Sequence, residues 1–340
     1  MNTLDNLDAS MLRAGSVDPL NVPPDYPRVR DLGGVLQLDT GHLGNPGTIA
    51  VFVLPLPTGG FAMIESGPGS TLAAVEAGLR SAGLDVADLR YLLLTHIHLD
   101  HAAAAGALVA RSNAKVIVHE RGAPHVIDPS RLMASALRVY GDALEPLWGH
   151  MEPVPQANVT AVGGGESLDV GGVRVRVIYT PGHAAHHVSY LLDDGSMFTG
   201  DSAGVKLGGA DLLRPALPPP DLDLEAWQES VSRMLAARPE RLILTHFGPV
   251  TGATAAAEHL QHTLERNRVW SENVLAGMRA GEDNAALVAR VRHMEDVELA
   301  EARVLPGIAM RYKITSDASM TVGGLSRYFT KLHPERLQVE

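Results

Sequence analysis

From Val29 onward, short apolar or β-branched runs alternate with glycine-marked turns, which is the pattern of strands. The runs are VLQL at 35–38, IAVFVL at 49–54 and FAMI at 61–64, the last following the turn Thr58-Gly59-Gly60. Leu72–Ala82 then reads as a helix closed by Gly83. A strand at Arg90–Leu94, an alanine-rich helix from about His101 to Arg111 and a strand at Ala114–Val118 follow. The second half repeats the style, with VRVRVIY at 173–179, VSYLL at 188–192, SMFT at 196–199 and RLILT at 241–245. Two strand-rich halves, each carrying helices, predict a pair of sheets packed face to face with helices outside.

Two segments break that rhythm. Residues 129–150 look helical, with apolar side chains at Leu132, Met133, Leu137, Tyr140, Leu144 and Leu147. Inserted between strands, such a helix serves either as a lid over a pocket or as cover for a sheet edge. After Thr254 the chain turns helical, and Leu260, Leu264, Val269, Val274, Leu275 and Met278 recur at roughly helical spacing. That spacing reads as a packed helical appendage; the same apolar surface would also suit a homodimer. The start of the chain is polar and rich in proline. The expected organisation is an arm over 1–28, a main domain over 29–253 with a helical insertion at about 128–150, and a mainly helical region over 254–340.

Composition narrows the chemistry. In 340 residues, 45% hydrophobic and 20% charged side chains supply a substantial core and exclude whole-chain disorder. Lys and Arg number 28 against 39 Asp and Glu, a formal charge of −11 that disfavours nucleic acid and favours a small-molecule partner. With 0 cysteines there is no thiolate nucleophile and no thiolate metal site, so any metal must be held by His and carboxylate. The N-terminus lacks the basic start and apolar core of a secretory signal, and stretches such as Ala102–Ala110 are far too short to span a bilayer. The expectation is a cytoplasmic protein with no membrane partner.

The informative stretch is Thr95-His96-Ile97-His98-Leu99-Asp100-His101, directly after the strand at 90–94. Alternate residues of an extended segment point the same way, so His96 and His98 can converge on one point. Asp100 and His101 fall at the first residues of the following helix. Three imidazoles and a carboxylate so close together call for a partner, and one or two metal ions supply it. An N-cap role explains Asp100 alone, not the cluster. The placement recurs: His183 follows the strand at 173–179, Asp201 the strand at 196–199 and His246 the strand at 241–245, each beside Gly or Pro. Together these are seven candidate ligands, enough for two metals.

With this His-x-His-x-Asp-His motif and the downstream His, Asp and His in order, residues 29–253 resemble the metallo-β-lactamase-fold hydrolase superfamily. The resemblance implies an α/β fold, an αββα sandwich of two mixed sheets flanked by helices, with a helical C-terminal appendage. It also implies two divalent ions, Zn2+ with Mn2+ or Fe as alternatives. His96, His98 and His183 would hold the first, Asp100, His101 and His246 the second, and Asp201 would bridge them. In the catalytic roles so implied, Asp201 fixes the metal separation and Asp100 helps carry a proton. Glu65 stands where the superfamily usually has Asp, a change expected to shift a hydrogen bond to a ligand without abolishing metal binding. All seven ligands are shared with glyoxalase II enzymes, whereas His98 argues against the flavin-diiron branch.

The implied activity is hydrolysis of a small ester, thioester or lactone by a metal-bridging hydroxide. Alternatives on the same ligands are a phosphodiesterase, an iron-dependent sulfur dioxygenase, and a ligand-sensing protein that retains the metal site. Neither Ser66-Gly67-Pro68-Gly69-Ser70 nor Gly163-Gly164-Gly165 has the Lys-Ser/Thr of a phosphate loop, and both read as turns. Lys206 and Arg214 are weighed as contacts for an anionic substrate group against solvated loop charges. His186 or His187 offers a hydrogen bond to substrate or to a ligand. Tyr190 reads as core.

Overall fold

The computed structural model describes residues 29–338, and these divide into two compact units. One comprises 29–179 with 188–198, the other 180–187 with 199–338.

The first unit is built on a seven-stranded sheet in the order β1-β2-β3-β4-β5-β6-β7. Its strands are β1 (Val29–Asp31), β2 (Leu36–Asp39), β3 (Ala50–Pro55), β4 (Phe61–Ile64), β5 (Leu89–Leu93), β6 (Lys115–His119) and β7 (Val159–Val162). Strands β1 to β4 pair antiparallel, and β4 to β7 pair parallel. Parallel neighbours need crossovers, and helices supply them. They are α1 (Leu72–Ser81), α2 (Leu99–Ala102) with α3 (Ala105–Ser112), and α4 (Ala123–Ile127) with α5 (Ser130–Tyr140) and α6 (Leu144–Trp148). Val51, Val53 and Met63 point to the helical side, packing with Val75, Leu79, Leu108 and Val109. Phe52, one residue out of phase, points to the opposite face, where its ring lies 5.4 Å from Phe198 of a second sheet. That sheet contributes β8 (Ser167–Val170), β9 (Val173–Tyr179), β10 (Val188–Leu192) and β11 (Ser196–Gly200), paired antiparallel in succession. Tyr190 is core, as its strand position predicts: its hydroxyl donates to the carbonyls of Leu94 at 2.8 Å and Ile117 at 3.2 Å. Sheet-on-sheet packing with helices outside is thus the observed architecture.

The helix expected over His101–Arg111 is two helices. The Ala104 amide donates to the Gly67 carbonyl at 3.1 Å, so the α-helical ladder is interrupted between α2 and α3. The inserted helical segment begins earlier than expected, at Ala123. The glycine run 163–165 is a turn, its amides at Gly163 and Gly164 held by the Glu166 carboxylate at 2.7 and 2.8 Å.

The second unit is mainly helical. It holds α7 (Leu224–Ala236), the antiparallel pair β12 (Arg241–Leu244) and β13 (Pro249–Thr251), then α8 (Ala253–Arg279), α9 (Asn284–Glu301), α10 (Pro306–Thr315) and α11 (Ala318–Lys331). Asp223, Asp283 and Asp317 cap α7, α9 and α11 by accepting from backbone amides. Helix α8 starts where the 253/254 boundary was expected, but the compact units do not divide there. Arg214 corrects an expectation: it is fully buried and faces no solvent. Its guanidinium lies 5.6 Å from the Trp270 ring centre and 5.4 Å from that of Tyr312, and donates to Glu295 Oε1 at 3.0 Å. Burial pushes the Glu295 carboxyl up to about 7, with Arg214 pulling the other way. Lys206 instead pairs with exposed Asp211 at 3.0 Å. Among the described residues no helix is long and apolar enough to cross a membrane.

Candidate metal centre

The first unit gathers His96, His98, Asp100 and His101. Strand β5 delivers the chain to Leu94, and His98 is the extended residue that precedes α2, so Asp100 and His101 lie in that helix's first turn. His96 and His101 are completely buried, their ring centres 4.0 Å apart. His96 Nε2 lies 2.9 Å from His98 Nδ1, and His101 Nε2 lies 3.4 Å from Asp100 Oδ2.

Behind them stands Glu65. It adopts a left-handed backbone conformation, φ 64°, which costs a non-glycine residue on the order of 1 kcal/mol or more. Its carboxylate is nonetheless well anchored. Oε2 accepts from the Thr95 amide at 3.2 Å, and Oε1 accepts from the Thr95 hydroxyl at 2.5 Å and from His101 Nδ1 at 3.0 Å. Since the Thr95 hydroxyl gives its proton to Glu65, its oxygen accepts from His96 Nδ1, 3.1 Å away. One carboxylate thereby sets two tautomers: His96 and His101 both carry the proton on Nδ1 and offer Nε2 as a lone pair. Glu65 thus bonds His101 directly and His96 through Thr95. Glu65, His96 and His101 each place a donor atom within 4.8 Å of the others.

The second unit gathers His183, Asp201 and His246. His183 Nδ1 donates to the Ala216 carbonyl at 2.9 Å, which again leaves Nε2 as the lone-pair nitrogen. That nitrogen is 3.4 Å from Asp201 Oδ2, and His246 Nε2 is 3.4 Å from Asp201 Oδ1. Asp201 therefore shows one oxygen to each imidazole. Gly182, at φ 135°, permits the turn before His183; a Cβ there would come 2.4 Å from the Trp227 side chain. The Trp227 indole donates to the Ser202 carbonyl at 2.8 Å and meets the His183 ring edge-on at 5.9 Å.

These contacts test whether the residues suit a metal. In neutral His183 and His101 a ring lone pair faces a carboxylate oxygen at 3.4 Å, a repulsion that a shared metal ion or a second ring proton relieves. The donor set of imidazole and carboxylate suits zinc, manganese or iron. His119, away from both groups, stacks on Tyr179 at 4.6 Å, and burial holds its pKa down. Sequence reasoning left His186 and His187 undecided and did not single out Thr95 or Trp227; nothing in their spacing marks them, because their partners are distant in the chain.

A sequence profile of the Metallo-beta-lactamase superfamily matches residues 18–246, and the chain belongs to that superfamily. It is 35% identical over 214 residues to the metallo-beta-lactamase fold-containing protein ST1585 of Sulfurisphaera tokodaii, covering 61% of this chain and 80% of that one. The crystal structure of ST1585, from Sulfolobus tokodaii, superposes with a TM-score of 0.55 at 33% identity, over 67% of this chain and 85% of that one. TTHA1429 of Thermus thermophilus shares the fold, with a TM-score of 0.65 at 21% identity over 88% and 94% of the two chains. A hydroxyacylglutathione hydrolase of Acidiphilium cryptum is 29% identical over 241 residues, 70% of this chain and 73% of that one.

Proposed function

We propose that the chain is a dinuclear metal-dependent hydrolase of small esters, thioesters or lactones. The observation that carries this reading is the common state of three buried imidazoles. His96, His101 and His183 each donate through Nδ1 to an oxygen acceptor, so each presents Nε2 as a ligand. In this reading His96, His98 and His183 would hold one ion, Asp100, His101 and His246 the other, and Asp201 would serve both. Bound divalent ions, zinc in the first instance, would supply a water activated near neutral pH and a Lewis acid for the acyl oxygen. Asp201, with one oxygen toward His183 and the other toward His246, would fix the separation of the two ions. Asp100, whose side chain retains 19% exposure, is placed to take up and release a proton. Glu65 and Thr95 hold the two imidazoles in one tautomer through each turnover. The Acidiphilium relative's name supports an acyl substrate, and the −11 charge favours a small molecule over nucleic acid. A cytoplasmic location belongs to the same proposal.

The test is a hydrolysis screen of the purified chain against ester, thioester and lactone panels, with phosphodiesters alongside and His96→Ala as control. Acyl hydrolysis that His96→Ala abolishes supports the reading. Turnover confined to phosphodiesters, or acyl hydrolysis that survives His96→Ala, overturns it.

A further inference from the structure

We infer that His187 is a positioning residue that sets the orientation of Asp201 toward its metal ions. The inference rests on the reading of Asp201 as a ligand. His187 is fully buried and lies in the same loop as His183, and its ring meets the residue that follows β11. Its Nε2 lies 3.2 Å from the Asp201 backbone nitrogen, and its Nδ1 lies 2.8 Å from Thr180 Oγ1. A backbone N–H only donates, so Nε2 is the acceptor and the ring proton sits on Nδ1, where it is given to Thr180. Thr180, in turn, has its amide bonded to the His187 carbonyl at 3.1 Å, so the two residues close a small ring of bonds.

This tautomer matches that of His183, but its use is opposite. His183 turns its lone pair toward the Asp201 carboxylate, whereas His187 spends its lone pair on the Asp201 main chain. The two rings pack edge to face, with centres 6.0 Å apart. One loop thus carries both a ligand and the group that orients the bridging carboxylate beside it. The Trp227 indole holds the next residue, Ser202, from the other side.

The experiment is chelator competition for zinc on the full chain, comparing wild type with His187→Leu, His187→Gln and Thr180→Val. His187→Leu removes the acceptor and is expected to weaken zinc binding about 10- to 100-fold, the usual cost of losing a group that orients a ligand. His187→Gln places an amide oxygen near the old Nε2 position and is expected to recover most of that loss. A filler of space would behave otherwise, since Leu and Gln would then bind zinc alike. Equal affinity in His187→Leu and wild type, or equal loss in Leu and Gln, overturns the inference. If His187→Leu does not fold, Thr180→Val decides: weakened zinc binding supports the role, and wild-type affinity overturns it. A wild-type chain that binds neither zinc, manganese nor iron refutes the metal-site reading itself, a result distinct from any pattern among the variants.

Discussion

The two donor groups reach the same chemical state by different routes. His96, His98, Asp100 and His101 lie within six consecutive positions, and a strand end running into a helix start places them. His183, Asp201 and His246 come from three separate strand ends, and the orientation of His183 and Asp201 depends on Ala216 and His187, which no motif marks. Backbone geometry places the first group, and one carboxylate, Glu65, orients His101 directly and His96 through Thr95. The second needs long-range hydrogen bonds, so its tolerance of change is set by loops and helices remote in sequence.

The largest expected effect is a test of that asymmetry. Asp201→Ala removes both oxygens that face His183 and His246, and is expected to lower the hydrolysis rate by roughly 10^3-fold or more. Asp100→Ala removes a carboxylate that faces one imidazole and is expected to cost less. Steady-state rates on the best substrate of the screen measure both, and an equal loss would erase the distinction between the groups.

Next in size is the support of the second group. Arg214 pairs with Val205 through the backbone, just beyond Asp201, while its guanidinium is locked to Glu295 on α9. Glu295→Ala leaves that guanidinium buried and unpaired, an expected loss of about 3–5 kcal/mol in urea unfolding. Replacing both partners together, Arg214→Met with Glu295→Leu, is expected to restore most of the stability. A Glu295→Ala chain as stable as wild type would mean that the helices do not anchor the Asp201 loop.

A smaller change sharpens the first group. Glu65→Gln keeps the length but turns a pure acceptor into a group with an N–H of its own, weakening the hold on the His96 and His101 tautomers. Zinc affinity is expected to fall about 10- to 100-fold with little change in fold, read by chelator competition and circular dichroism. Unchanged affinity would show that Glu65 is only a buried spacer.

Much of this was legible in the sequence because strands and helices announce themselves by period. The core strands β3, β4, β5 and β10 are apolar and fall where the runs predict. What escaped has physical causes. Strands β1, β7, β8 and β13 are short and mostly exposed or half-buried, so no apolar run marks them as it marks the equally short but buried β4 and β12. The break between α2 and α3 follows from one amide drawn to Gly67, a contact 37 positions away by residue number. Arg214 reads as a loop charge beside Gly and Pro; only the packing of Trp270, Tyr312 and Glu295 makes it a core residue. The seven candidate donors were all visible, since each stands at a strand end beside Gly or Pro or in the contiguous motif. Their tautomers were not: the resemblance marked Glu65 without its partners, and Thr95 and Ala216 enter only through three-dimensional contact.

Elemental analysis of the full chain, purified without added metal or chelator, with Asp201→Ala beside it, decides whether these residues hold metal. About two zinc ions, or zinc with manganese, are expected per wild-type chain, and a clear deficit in the variant. A wild-type chain that carries no metal and rebinds none would contradict the metal-site reading. Iron near one per chain would contradict the hydrolase and turn attention to oxygen consumption.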